Sequence, residues 1–207
     1  MKKKIVSLCL CVALLAVAVG GTLAYFTDTT EAKENVFTVG NINIILTETE
    51  WDKEPDHEDV YPGEALAKNP VVANLSDDGN TISPNPCFVR VKVEGLDQFG
   101  ADNMITYETD NTTGKLGENW LDGGDGYFYY MKPLGGLYQV QNEGMSYQTT
   151  ALFEQIRMPV GLKGGEDAEP VVVSAEAVQA QGAKPSWSAV QSISLTDLQA
   201  WFTTCMG

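Results

Sequence analysis

PCFVRVKVEG, residues 86–95, decides how the rest of this chain is read. Cys87, Val89, Val91 and Val93 alternate with Phe88, Arg90, Lys92 and Glu94, so a strand here turns its small apolar side chains to one face. That period of two places Cys87 on a buried face. Further short runs of the same kind lie on either side. GYFYYMK (126–132) is aromatic and bounded by Asp-Gly pairs before it and Pro-Leu-Gly-Gly after it. ALFEQIRMP (151–159) sets Leu152, Glu154, Ile156 and Met158 against Phe153, Gln155 and Arg157, and PVVVSAEAVQ (170–179) is rich in β-branched residues. Residues 36–46 place Ile42, Ile44 and Leu46 on one face, opposite Asn41, Asn43 and Ile45. Residues 71–75 and 104–108 are weaker strand candidates.

Many short strands separated by Gly, Pro, Asn and Asp punctuation predict an all-β sandwich or barrel rather than alternating α/β units. The C-terminus departs from this pattern. Ser194-Leu195-Thr196-Asp197 is an acidic capping box, and Leu198, Trp201 and Phe202 follow at helical spacing. A short helix packed on the body by its aromatic side is expected there.

The first two dozen residues read as a targeting segment. Lys2, Lys3 and Lys4 form a basic start, residues 5–19 are apolar apart from Ser7, and Thr22-Leu23-Ala24 offers small residues at the −3 and −1 positions. Cleavage is expected between Ala24 and Tyr25, which divides the chain into a signal peptide (1–24) and a single domain (25–207). An uncleaved anchor is the competing reading, although the run falls short of the roughly 20 apolar residues that span a bilayer comfortably. Cys9 and Cys11 lie too early in the run for a lipoprotein signal. Removing three lysines and no acid takes the net charge from −15 to −18. Such acidity disfavours nucleic acid and anionic membrane surfaces as partners. With 43% hydrophobic residues, the chain nevertheless has enough apolar surface for a core.

Two cysteines lie beyond the signal, Cys87 and Cys205. An exported protein permits a disulfide between them, whereas free thiols are the simpler expectation, because a buried thiol packs as a small hydrophobe.

No catalytic constellation emerges. The single histidine, His57, lies in the acidic loop ETEWDKEPDHED (48–59) beside Asp56, Glu58 and Asp59. Adjacent residues of an extended chain point in alternate directions, so a solvated surface histidine is expected there rather than a metal ligand. The chain lacks HExxH, a nucleophile elbow and a phosphate loop. Asp122-Gly123-Gly124-Asp125-Gly126 departs from calcium-loop spacing and reads as a β-turn, as does Asp77-Asp78-Gly79-Asn80. No cofactor is expected.

The stretch GGTLAYFTDTTEAKENVFTVGNINI (20–44) closely resembles the N-terminus of the TasA/camelysin family. In that family a Gly-Gly-Thr-x-Ala segment followed by an aromatic residue is cut by a SipW-type signal peptidase, and an aromatic-x-x-Gly-Asn-hydrophobic strand follows. Here Phe37, Gly40, Asn41 and Ile42 match that strand. YPGEALAKNPVVAN, CFVRVKVEG, GYFYYMKPL, TTALFEQIRMP and VVVSAEAVQAQG resemble the family's body in the same order. The resemblance implies a secreted, jelly-roll-like antiparallel β-sandwich that assembles into extracellular fibres of a biofilm matrix or cell surface. It further implies a homo-oligomeric filament in which the freed N-terminal segment adds as a strand to the next subunit. The donor residues would be Tyr25, Phe26, Thr27, Asp28, Val36, Phe37 and Val39. Camelysin-like members are also described as metalloproteases, an activity for which this sequence carries no zinc motif. An accessory or adhesive fibre subunit is a third reading.

Overall fold

The computed structural model describes residues 42–53, 60–98, 104–161 and 170–206. All of these belong to one compact unit, Val39–Gly207. The expected signal peptide, its junction at Ala24 and Tyr25, the donor residues Tyr25–Asp28, Val36, Phe37 and Val39, and His57 lie outside the described residues.

Among the described residues, ten strands and three α-helices follow in order: β1 (Ile45–Thr47), β2 (Ala65–Ala67), β3 (Val71–Ala73), β4 (Cys87–Glu94), β5 (Thr106–Thr109), β6 (Thr112–Thr113), β7 (Trp120–Asp122), β8 (Phe128–Tyr130), α1 (Leu137–Glu143), β9 (Gln155–Arg157), β10 (Val172–Gln179), α2 (Trp187–Val190) and α3 (Leu195–Met206). One four-stranded sheet has the order β10-β4-β8-β7, a second has β2-β9-β5-β6, and β1 pairs with β3 in a small two-stranded sheet. Every pairing is antiparallel. From β4 onward the chain alternates between the two larger sheets, visiting β5–β6, then β7–β8, then β9, then β10. The result is the β-sandwich with a short C-terminal helix that the sequence led us to expect.

The opening stretch forms the central strand β4, with β10 on one side and β8 on the other. Cys87, Val89 and Val91 are fully buried in the core between the sheets, where they join Leu66 and Ile156 of the second sheet. Aromatic contacts bridge the layers. Tyr107 of β5 meets Phe128 of β8 edge-on at 5.6 Å and stacks on Phe153 at 5.7 Å. Each large apolar side chain removed from water here is worth about 1.5–3 kcal/mol.

The opposite face of β4 is also covered at its N-terminal half. Phe88, Tyr129 and Val178 form a second cluster with Val190, Leu198 and Phe202, so α2 and α3 make a third layer. The capping box operates as expected: Ser194 Oγ accepts from the Asp197 backbone N–H at 3.2 Å, and its hydroxyl donates to Asp197 Oδ2 at 2.7 Å. Arg90 anchors this layer. Its guanidinium lies 3.8 Å from the Tyr127 ring centre and 4.7 Å from that of Phe202, with Glu176 paired at 2.6 Å.

Cys87 and Cys205 are free. Cys87 faces the inter-sheet core, whereas Cys205 is exposed on the helix that covers the other side of the same sheet, so no bridge joins them. Burial pushes the Cys87 thiol up to about 12, which keeps it protonated and inert.

Three expectations need correction. The strand expected over 36–46 is laddered only at Ile45–Thr47 among its described residues, although Ile42, Ile44 and Leu46 do pack on the core. In 151–159 only Gln155–Arg157 is a strand. The preceding backbone is bent, with Leu152 N–H donating to Pro70 O and Glu154 N–H to Glu108 O, so Leu152 and Phe153 are both buried rather than alternating. Helix α1 was not anticipated, since its N-cap is Gly136 with no side-chain cap bond. Its one legible signal is Gly144, the left-handed C-cap at φ 66°.

Candidate functional site

The two sheets close differently along their two sides. On one side lie the edge strands β2 and β10, and between them runs a groove of about 530 Å³. Leu66 and Ile156 contribute from one sheet and Val172 and Val173 from the other, with Ile105 and Met158 deeper in. Strand β10 is eight residues long and pairs through β4 only, so among the described residues no strand meets its outer side. A long unpaired edge leaves a row of N–H and C=O groups available to another chain.

Apolar side chains extend from the groove onto the surface. Val172 is 49% exposed, and Met104, next to the groove residue Ile105, is 39% exposed. Tyr61 and Val160 are 71% and 85% exposed, and both lie at the Gly63 turn that leads into β2. Single exposed apolar residues are ordinary. A cluster rimming an apolar groove beside an open edge is what a docking surface looks like.

A charged pair, Lys68 and Glu48, interrupts the groove. Lys68 is 3% exposed, and its Nζ sits 2.7 Å from Glu48 Oε2 and 4.5 Å from the Trp51 ring centre. A buried charge needs such a partner, and the indole face adds cation–π attraction. Glu48 Oε1 is buried without a hydrogen-bond partner. Sequence reading missed this trio because Glu48 and Lys68 are twenty residues apart and meet only through the tertiary fold.

The second sheet holds a buried carboxylate next to this site. Glu108 is 2% exposed and accepts from Arg157 Nε at 2.7 Å and Nη2 at 2.9 Å, from Gln155 at 2.7 Å and from Thr113 at 2.9 Å. The Arg157 hydrogen bonds hold its carboxyl down at about 2 against the cost of burial, and those from Thr113 and Gln155 reinforce them. Arg157 Nη1 also donates to Gly63 O, which ties the network to the turn before β2. Every oxygen is occupied in supporting the sheet, so this pair is structural.

The two turns considered for calcium are turns. Gly123 N–H donates to Tyr127 O at 2.8 Å, and Asp122 Oδ1 accepts from Gly124 N–H at 2.8 Å, closing the β7–β8 hairpin. A Cβ at Gly123 would come within 2.5 Å of both Asp125 Oδ1 and Tyr129 Cε2, so only glycine fits there. At the other turn, Asp78 accepts from the Thr81 hydroxyl and from the backbone of Asn80 and Thr81, which lowers its carboxyl from the usual value.

Residues 1–81 match the family model described as camelysin metallo-endopeptidase. This N-terminal part of the chain is similar to the camelysin family. The match takes in the N-terminal stretch that carries the resemblance and reaches through β1, β2 and β3, including Glu48, Trp51 and Lys68. Comparison with curated proteins and with solved structures finds no match for the chain. The camelysin description implies a catalytic metal. Among the described residues no three His, Cys, Asp or Glu side chains are grouped to hold one, so those residues do not fit a metal centre and no hydrolytic step is derived from them. No described helix is long and apolar enough to cross a membrane.

Proposed function

We propose that this chain is a secreted, non-enzymatic structural subunit that assembles into extracellular fibres of a biofilm matrix or cell surface by donor-strand exchange. The observation that carries the reading is the groove between β2 and β10, flanked by the eight-residue strand β10, whose outer side no described strand meets. A strand laid against β10 gains main-chain hydrogen bonds along the edge, while its alternate side chains enter the apolar groove. The donor is the segment Tyr25–Val39 of a neighbouring copy, released when a SipW-type signal peptidase cuts after Ala24. Such a head-to-tail contact does not close on itself, so it propagates as a filament. The camelysin match over residues 1–81 supports the reading, because it spans both the donor segment and part of the groove wall.

The test compares residues 25–207 with a version lacking residues 25–39, by electron microscopy and sedimentation under crowded and calcium-containing conditions. Fibres from the first and monomers from the second are expected. Two monomeric samples defeat the proposal.

The family description supplies a second reading, a cell-surface metallo-endopeptidase. Metal analysis of the purified protein, casein digestion and a His57→Ala variant separate the two. Stoichiometric zinc, with activity abolished in that variant, would displace the structural role.

A further inference from the structure

The hydrogen-bond register of β4 fixes which backbone groups of β10 face outward. Cys87 exchanges backbone bonds with Leu134 at 3.1 Å and 2.8 Å, on the side of β4 away from β10. On the other side, Ala180 N–H donates to Pro86 O at 2.9 Å, in line with the unbroken ladder from Cys87↔Gln179 to Glu94↔Val172. Bonded and non-bonded pairs alternate along an antiparallel ladder. Val172, Ser174, Glu176 and Val178 therefore bond β4, while Val173, Ala175, Ala177 and Gln179 turn their N–H and C=O outward. One side-chain bond confirms the assignment. Trp201 Nε1 of α3 donates to Gln179 O at 2.8 Å, a bond open only to an outward-facing carbonyl.

Trp201 thus occupies one end of the open edge. Among the described residues no hydrogen bond reaches the outward groups of Val173, Ala175 or Ala177. The side chains of these three are partly buried against the inter-sheet core, so a strand laid beside them sends alternate side chains the same way. The two alanines leave room there for larger partners. Residues 25–39 suit such an edge because they contain neither proline nor glycine, so each brings an N–H and a side chain to the ladder. Of the other segments outside the described residues, 54–59 contains Pro55, and 99–103 and 162–169 contain glycine.

We infer that the Tyr25–Val39 segment of a second copy bonds β10 at Val173, Ala175 and Ala177 alone, and that Trp201 is the stop that sets this register. The inference rests on the proposed function for its occupant and narrows the contact to three residues and one positioning side chain. A regular edge permits slips of two residues, which keep every side chain on its own face. The capped carbonyl of Gln179 removes the slip in that direction.

The test is amide hydrogen exchange followed by NMR, on the version lacking residues 25–39, with and without a peptide of residues 25–39. Without peptide, the amides of Ser174, Glu176 and Val178 should exchange slowly and those of Val173, Ala175 and Ala177 quickly. Peptide should slow the latter three by about tenfold or more and leave Gln179 unchanged. Ala175→Pro deletes an outward N–H and no bond to β4, so the fold should hold while peptide binding weakens by about tenfold. Ala177→Pro serves if that variant does not fold. Trp201→Phe keeps an aromatic ring but frees Gln179 O, and peptide should then slow Gln179 as well. If Trp201→Phe does not fold, the contrast between Ala177 and Gln179 in the parent carries the test.

Outward amides that are slow before peptide is added, or stay fast with it, overturn the inference. So do slowing at Gln179 in the parent, undiminished binding by the proline variants, and an unchanged Gln179 in Trp201→Phe. Protection of the same amides in dilute, monomeric residues 25–207 puts the segment on its own chain and overturns the second copy. Peptide protection without fibres from residues 25–207 keeps the register and defeats the fibre proposal, whereas fibres without protection do the reverse.

Discussion

The two sides of the sandwich use the same sheets and end in opposite ways. On the β6–β7 side, residues 114–119 carry the chain directly from one sheet to the other. Gly117 N–H donates to Leu152 O at 2.9 Å, and Trp120, 3% exposed, packs on Tyr130 at 5.1 Å while its indole donates to Thr150 O at 3.0 Å. That side is sealed by a short covalent crossing and one large plug. On the β2–β10 side the described residues leave an apolar groove and a long free edge. Sealing thus depends on connection length: a six-residue crossing places backbone and indole over the core, and no described crossing does so at the other side. Among the described residues, then, the sandwich is closed on one side and leaves a place for another strand on the other.

The largest effect is expected at the sealed side. Trp120→Ala removes the plug and its hydrogen bond, and should cost about 3–5 kcal/mol in urea unfolding. Gly117→Val should lose about 3 kcal/mol, because a Cβ there collides with the Ala151 carbonyl oxygen. If either variant unfolds like the parent, the sealed side is not where stability resides.

Glu108 links the two sides, through Thr113 of β6 and through Arg157 to Gly63 before β2. Glu108→Ala should cost about 1–3 kcal/mol at neutral pH. The folded-state pKa lies near 2, below the ordinary 4.5, so this contribution is present above pH 4.5 and disappears as pH falls toward about 2. Urea midpoints measured from pH 6 to pH 2 should fall more steeply in the parent than in Glu108→Gln. Parallel curves would remove the network from the account.

The smallest stability effect, and the sharpest for function, belongs to the open side. Tyr61→Ser and Val160→Ser alter only exposed rim residues, and each should change stability by no more than about 0.5 kcal/mol. Their combination should nevertheless reduce the sedimentable fraction of residues 25–207. Unchanged assembly in the double variant would place the docking surface elsewhere.

Much of the fold was legible because it is written in local periodicity. The two-residue alternation of 87–94 identified β4 and its buried thiol, and the Ser194–Asp197 box identified α3. Phe88 shows the limit of that reading. Its position in the alternation puts it opposite the valines, yet it is fully buried, because α3 is laid over that face. Leu152 and Phe153 failed for a related reason: hydrogen bonds to Pro70 and Glu108, distant in sequence, bend the chain where the pattern suggested a straight strand. The candidate site was the least legible part, since Glu48, Trp51 and Lys68 meet only through the tertiary fold and no spacing rule encodes their approach.

Local sequence pattern was enough to mark the strands within 87–94, 126–132 and 170–179, the cap of the last helix and the camelysin-like N-terminal stretch, because these depend on neighbours within a few residues. Only the tertiary structure decided which sheet edges stay open, which polar groups are buried without partners and that Cys87 and Cys205 stay apart. Those outcomes depend on how far-separated segments pack, and packing is a property of the whole folded chain.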